Sequence, residues 1–304
     1  MKEFKVIEYV RSHNASLGDV VLLPPGDDLG AVQIPGGGVV LAGVDQVIGG
    51  VHLPPEASPE RFARKALRRS LSDVAAMAAV PTGALVTAAL PQGLPDRWAV
   101  EFADALHQEA ARLDCPVFGG DVASLGSPSA PLVVTATVLA TPDPDMSGRF
   151  LRRTGASPGD RIFVSGFFGR SLDSDGSGHH EVFEPRVALA RALHRSLGEA
   201  LHCLIDVSDG LLADSGHLAQ ESSVRFELDL ESIPRREGAS GPAALTDGED
   251  YELCFTIGAD AIPPTELMGV PLTEIGRVTD GQGVTVREAG VELELPRAGW
   301  EHDA

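Results

Sequence analysis

Six short aspartate signatures are spread along the chain: Gly26-Asp27-Asp28, Val44-Asp45, Ser70-Leu71-Ser72-Asp73, Gly119-Gly120-Asp121, Asp206-Val207-Ser208-Asp209-Gly210 and Gly248-Glu249-Asp250. Several follow apolar runs, as in VVLAGVD (39–45), PVFGGD (116–121) and HCLIDVSDG (202–210). A run that ends in Gly, Ser or Asp predicts a buried strand delivering a carboxylate at its C-terminal end, where open α/β folds place ligands. Carboxylates gathered in one cleft repel and raise one another's pKa unless cations neutralise them. Mg2+ is the default cation for an oxygen-only ligand set, and Mg2+ so held commonly carries phosphates. Each signature also has an ordinary reading. Asp and Ser are favoured helix N-caps, which covers Asp73 and Asp209 taken singly, and GDD, GGD and GED are common in turns. The argument lies in their joint occurrence.

Other phosphate-binding devices are absent from the sequence. There is no GxxxxGK(S/T) loop and no GxGxxG after a strand, and neither a GxSxG elbow nor an HExxH pair occurs. A nucleotide would have to be held by metals, arginine and backbone amides, for which Arg152-Arg153-Thr154-Gly155 and Gly119-Gly120 are available. His52 follows the second aspartate strand; a lone His is usually structural or exposed. His179-His180 falls in a polar loop and reads as solvated. Trp300, in RAGWEHDA, is either a packing cap or a ring-stacking platform.

These residues must be positioned by alternating strands and helices. Apolar spacing predicts a short helix over 3–12, a strand at 39–48, a long helix over 59–80 and a strand at 81–90. An amphipathic helix over 95–114, a strand and turn at 115–121 and a strand at 130–141 follow. Around 142–160 the chain turns rich in Pro, Gly and Arg, which predicts a linker between two units, 1–141 and 142–304. The second unit reads as strands at 161–166, 202–206, 225–233 and 251–257, helices at 185–200 and 211–221, and a hairpin over 284–295. Residues 169–181, GRSLDSDGSGHHE, predict a mobile loop. Ser70–Ala76 and Asp206–Leu212 form a weak internal repeat, each placing Ser and Asp oxygens before helical sequence.

At 304 residues the chain is long enough for two domains, with ordinary globular composition. A formal net charge of −20 argues against a nucleic-acid partner. Only Lys2, Lys5 and Lys65 are lysines, so nearly all positive charge is arginine, a good phosphate clamp. Cys115, Cys203 and Cys254 show no CxxC spacing, and Cys115 and Cys203 read as buried thiols. No secretory leader and no membrane span are predicted, so the expectation is a cytoplasmic enzyme.

Taken together, these residues resemble the thiamine-monophosphate kinase family, within the superfamily of aminoimidazole-ribonucleotide synthetase and selenophosphate synthetase. The matching stretches are GDDLGAV (26–32), Asp45 to His52, KALRRSLSDVAAMAA (65–79), GGD (119–121), RRTGASPGDRIFVSG (152–166), DVSDGLLADSGHL (206–218) and GEDYELCFT (248–256). They span nearly the whole chain.

The resemblance implies an α/β (α+β) protein of the aminoimidazole-ribonucleotide-synthetase type. Its N-terminal domain would bind ATP and metal and form a homodimer through its sheet, followed by a C-terminal α/β domain. It implies transfer of the γ-phosphoryl of ATP to thiamine monophosphate, with several Mg2+ ions. Carried over by position, the metal ligands would be Asp28, Asp45, Asp73, Asp121, Asp206 and Asp209. Gly120, Asp121, Arg153 and Ser208 would contact nucleotide, Asp209 and Arg153 would be catalytic, and His52, Glu249 and Trp300 would face the thiamine phosphate.

The chain departs from the family pattern in places. Gly43-Val44 stands where the family usually has two hydroxyl residues, and Val122 stands where it usually has Thr. Much of the helix that the family carries after Gly169 is replaced by the Ser/Asp/Gly/His-rich loop. Two other readings are an ATP-dependent enzyme of the superfamily with another acceptor, and a non-catalytic homologue that binds thiamine phosphate. A selenophosphate-type enzyme would need a reactive Cys near its N-terminus, and none precedes Cys115.

Overall fold

The computed structural model describes residues 3–294. Its first half runs α1 (Glu3–Arg11), β1 (Val21–Leu23), β2 (Gly30–Gln33), β3 (Val39–Ile48), α2 (Pro59–Ala76), β4 (Val80–Leu90), α3 (Asp96–Arg112), β5 (Val117–Ser124) and β6 (Val133–Thr141). These strands form a six-stranded sheet of order β1-β2-β3-β6-β4-β5. Only β4 and β5 pair in parallel, through the crossover helix α3; the other neighbours are antiparallel.

The VVTATVLAT sequence of β6 shows why the sheet has one wet and one dry face. Val134, Ala136, Val138 and Ala140 are buried while the residues between them are not. That period of two turns every second side chain toward the helices. Phe62, Leu67, Leu71 and Val74 of α2 meet that face and form the first core with it. The opposite face is left open: Val44 and Phe118 are 61% and 59% exposed.

The second half contains β7 (Arg161–Ser165), α4 (His179–Val182), α5 (Val187–Leu197), β8 (Leu201–Val207), α6 (Leu211–Ser222), β9 (Arg225–Asp229), α7 (Gly241–Thr246), β10 (Glu252–Ile257), β11 (Glu266–Leu267), β12 (Val270–Thr279), β13 (Gly283–Glu288) and β14 (Val291–Glu292). Its sheet has the order β14-β13-β9-β12-β7-β10-β8, with β11 paired to β12. Strands β8 and β10 are buried along their whole length or nearly so, which their continuous apolar sequences require. A second core fills the space between this sheet and α6. A third core joins the halves, with Ala75, Ala76 and Ala78 packed among residues such as Leu189, Leu204 and Phe255. All three cysteines are buried thiols.

Two expectations are corrected. The helix predicted over 59–80 stops at Ala76, because Ala78 takes a left-handed φ of 49° and turns the chain into β4. The aspartates are not a set of strand C-termini. Asp45 lies inside β3, Asp121 inside β5 and Asp73 in the last turn of α2, so Asp73 caps no helix N-terminus. Only Asp206 and Asp209 follow the expected pattern, at and just after the end of β8. The Ser70–Ala76 repeat therefore marks a helix end, while its counterpart marks a strand end.

Candidate active site

The last turn of α2, the end of β8 and the turn before β2 converge at the junction of the two sheets. They bring oxygens of Asp28, Asp73 and Asp206 within 4.8 Å of one another. Asp45 reaches the same cluster from the dry face of β3, repelling Asp73 and sharing a hydrogen bond with it. Burial pushes Asp73 well above the usual carboxylate range, and Asp45 and Asp206 add to the push. Asp206 is raised to about 7, by burial first and then by Asp28, against the opposing pull of the Ser72 hydroxyl and Arg153. Ser72 donates to Asp206 at 2.6 Å.

Arg153 donates to Asp28 Oδ1 at 2.6 Å, and its backbone N–H meets both oxygens of Asp27 at 3.3 Å. Asp28 Oδ2 is buried without a hydrogen-bond partner among the described residues. A buried orphan carboxylate oxygen beside two desolvated carboxylates fits a hard divalent cation, since only oxygen donors converge there. Asp27, raised to about 6 by burial and by Asp28, is held as the brace of the Arg153 backbone.

Beyond Asp206 the chain turns sharply into α6. Asp214 accepts the backbone N–H groups of Ser208, Asp209 and Gly210 at 3.0, 3.0 and 3.1 Å. Three donors on one oxygen fix the turn that presents Ser208 and Asp209, and the sequence reading had missed Asp214. Asp209 itself lines a cavity of about 330 Å3 together with His52, Arg69, His180, Glu249 and Tyr251. Of the residues predicted to meet the acceptor, His52 and Glu249 are therefore together in one cavity, and Trp300 lies outside the described residues. His52 Nδ1 accepts the Ile48 N–H at 3.0 Å, which leaves Nε2 as the protonated nitrogen.

The floor of this cavity is a saturated charge network. Lys65 is fully buried on α2, donates to Glu249 and to the His52 carbonyl at 2.9 Å, and has its Nζ 2.5 Å from His180 Nδ1. Glu249 also accepts the Tyr251 hydroxyl at 3.1 Å. Burial alone would raise the Glu249 pKa, but His180, Lys65 and Arg69 together hold it well below the usual range. The backbone here is strained: Glu249 and Tyr251 have φ of 56° and 50°, a conformation that costs on the order of 1–3 kcal/mol per residue. Backbone hydrogen bonds from Glu249 to Ser208 and from Tyr251 to Val207 hold it in place.

The polar loop over 169–181 corrects the sequence reading at His180. It is anchored, because Asp250 Oδ1 accepts from Gly169 N at 3.0 Å and Ser171 Oγ at 2.6 Å, with Arg236 closing the group. His180, expected to be solvated, is 1% exposed and sits against Lys65. A low apolar content gave no sign of this anchoring, because buried ion pairs perform it. Neither Lys65 nor Arg69 was singled out from sequence, although Lys65, Arg69 and Asp73 recur every fourth residue on a helical pattern. That spacing was the available signal.

Gly120 and Asp121 stand apart. A Cβ on Gly120 would lie 1.9 Å from the Val86 carbonyl oxygen, so glycine is required there by strand packing. Registers run Asp45↔Ala136, Ala136↔Val86 and Val86↔Gly120, so β5 is three strands from β3, about 14 Å. Asp121 pairs with exposed Thr87 and shares the open face of the sheet, opposite to Asp45. The departures at 43–44 have a physical counterpart. A Cβ on Gly43 would lie 2.4 Å from Leu29, whereas Val44 points to the open face.

Residues 26–141 match the family model described as AIR synthase related protein, N-terminal domain. The thiamine-monophosphate kinase of Caulobacter vibrioides is 34% identical over 94% of this chain and 86% of its own length. That of Rhodopirellula baltica is 34% identical over 96% and 94%. Among solved structures, AaThiL complexed with AMPPCP and TMP superposes with a TM-score of 0.80 at 27% identity, covering 99% of this chain and 97% of that one. The similarity runs through both sheets and the cleft between them, and the chain belongs to the thiamine-monophosphate kinase family, a family of phosphotransferases.

Proposed function

We propose that this protein transfers the γ-phosphoryl group of ATP to thiamine monophosphate, giving thiamine diphosphate and ADP. The observation that supports this reading best is the adjacency of two unlike sites. A desolvated carboxylate cluster, Asp28, Asp73 and Asp206, adjoins a cavity lined by Asp209, His52 and Glu249. Asp28, Asp45, Asp73, Asp206 and Asp209 would hold Mg2+, which when bound supplies charge neutralisation and alignment of the phosphates.

The chain's own residues do the rest. Arg153 exchanges Asp28 for a phosphate oxygen of the nucleotide. The Asp214-braced turn aims Ser208 and Asp209 at the same region. No general base is required, because the attacking oxygen belongs to an already ionised phosphate. Glu249 is spent on Lys65, His180 and Tyr251, so it shapes the acceptor cavity more than it neutralises a cationic ring.

The open face of the first sheet carries Val44, Leu85, Phe118, Thr87 and Asp121. We assign it as the homodimer interface, which would place Asp121 and Gly120 beside the nucleotide only in the assembled pair. Residues 1–141 and 142–304 would be the two domains. A cytoplasmic location is in keeping with a biosynthetic kinase, and no helix among the described residues is long and apolar enough to cross a membrane.

Purified protein with ATP, Mg2+ and thiamine monophosphate should form ADP and thiamine diphosphate in equal amounts. Folded protein that yields neither product, beside an active control enzyme, would falsify the assignment.

A further inference from the structure

Helix α2 presents Lys65, Arg69 and Asp73 at four-residue intervals, which aligns them on one face about 6 Å apart along the axis. Lys65 is tied to Glu249 at one end of this row, and Asp73 belongs to the carboxylate cluster at the other. Arg69 stands between them. Its guanidinium is 3.7 Å from Asp45 and 3.9 Å from Glu249, both too far for a hydrogen bond. Its Nε and Nη1 have no hydrogen-bond partner among the described residues, and it lines the cavity that Asp209 and His52 share.

This arrangement is unusual for an arginine among carboxylates. Asp45 and Glu249 hold its charge in place electrostatically, yet neither takes its hydrogen bonds. Glu249 is already bonded to Lys65 and Tyr251, and the Lys65 ammonium is turned to Glu249 and the His52 carbonyl. A planar guanidinium with unspent donors matches an anion that can accept two parallel N–H bonds, and a phosphate ester does so.

We propose that Arg69 grips the phosphate of the acceptor, a phosphomonoester, and holds it between the cavity floor and the carboxylate cluster. The inference rests on the reading of this cavity as the acceptor site. Arg69 then has a double task. It offsets the repulsion between two phosphates brought together, and it sets the distance from the acceptor's phosphate to the cluster through the rigid helix that also carries Asp73.

Binding of thiamine monophosphate and of unphosphorylated thiamine, measured by calorimetry on wild type, Arg69→Gln and Arg69→Lys, tests this. Arg69→Gln should weaken the phosphate ester about 10- to 100-fold, the size of lost bonds to a charged group. Thiamine should change by less than about 2-fold, since it lacks the group that Arg69 holds. Arg69→Lys, which keeps the charge and supports the fold, should fall between, because it lacks the fork. In turnover, KM for thiamine monophosphate should rise while KM for ATP stays constant. Equal affinity of wild type and Arg69→Gln for the ester, or an equal loss for both ligands, overturns the proposal. If wild type binds neither compound, the acceptor reading fails on its own account. Inorganic phosphate then serves as the probe: a thermal shift seen in wild type and lost in Arg69→Gln supports the grip, and identical shifts overturn it.

Discussion

At one end of α2, Asp28, Asp73 and Asp206 bring like charges together, with one carboxylate oxygen left unpaired. Two turns away, Lys65, Glu249, His180 and Tyr251 form a group in which each charge has its counterpart. The first region is costly to fold and calls for a compensating charge from outside the chain. The second is complete within the chain and acts as scaffold. Burial is severe in both, so the difference lies in whether the sequence supplies the compensating charge. Activity and stability should therefore respond in opposite directions to substitutions in the two regions.

The largest contrast is expected at Asp73. Asp73→Asn should lower turnover by about 10²–10³-fold, the effect of losing one preorganised electrostatic group. The same change should raise the melting temperature in metal-free buffer, since it removes a repelling charge. A variant that loses both activity and stability would make Asp73 a structural residue. Lys65→Met should do the reverse of this, destabilising the fold by about 1–3 kcal/mol in urea unfolding because Glu249 loses its ammonium partner in a half-buried site. Adding Glu249→Gln to Lys65→Met should recover much of that loss, and a double variant no better than the single one would break the pairing argument.

Acidity separates the regions by sign. Asp206 is raised to about 7 and Asp73 is raised as well, so the folded state binds protons there that the unfolded state has already released. Their effect on stability is favourable when protonated and is lost as pH rises through about 7. Glu249 is depressed, so its contribution is present above the ordinary glutamate pKa and is lost only as pH falls below it. In chelator, the protein should be more stable at pH 6 than at pH 8, and Asp206→Asn should flatten that slope. A stability maximum at pH 8 without metal would contradict the charge assignment of the cluster. The smallest effect concerns the loop. Ser171→Ala removes one hydrogen bond to Asp250, worth about 1 kcal/mol, and hydrogen exchange over 170–182 should quicken while the rest of the chain is unchanged.

Much of the candidate site was legible in sequence, for a chemical reason. Metal and phosphate chemistry demands particular residue types, and those types stand in recognisable runs such as DVSDG and GEDYELCFT. Their placement on elements was less legible. Asp45 and Asp121 read alike as aspartates after apolar runs, yet strand alternation and register put them on opposite faces of one sheet. The alternation of strands and helices followed from apolar periodicity, and the two sheets from the family resemblance. The antiparallel pairing that dominates the first sheet did not, because pairing is decided between distant segments. Lys65 and His180 were invisible as a pair because 115 residues separate them and each looks ordinary in its own neighbourhood. His180 was misread as solvated for the same reason: a polar stretch signals solvent only where its polar groups lack partners elsewhere in the chain.

The packing of Ala75, Ala76 and Ala78 against residues of the second sheet carries a consequence for how the chain assembles. Helix α2 belongs to two cores at once, so neither half can complete its interior alone. The molecule should melt in a single cooperative step, and a fragment ending near residue 141 should aggregate instead of folding. Because such contacts join residues far apart in the chain, folding should be slow by the standards of small domains. Catalytic competence would then arrive with the last docking event, when the halves close around the end of that one helix.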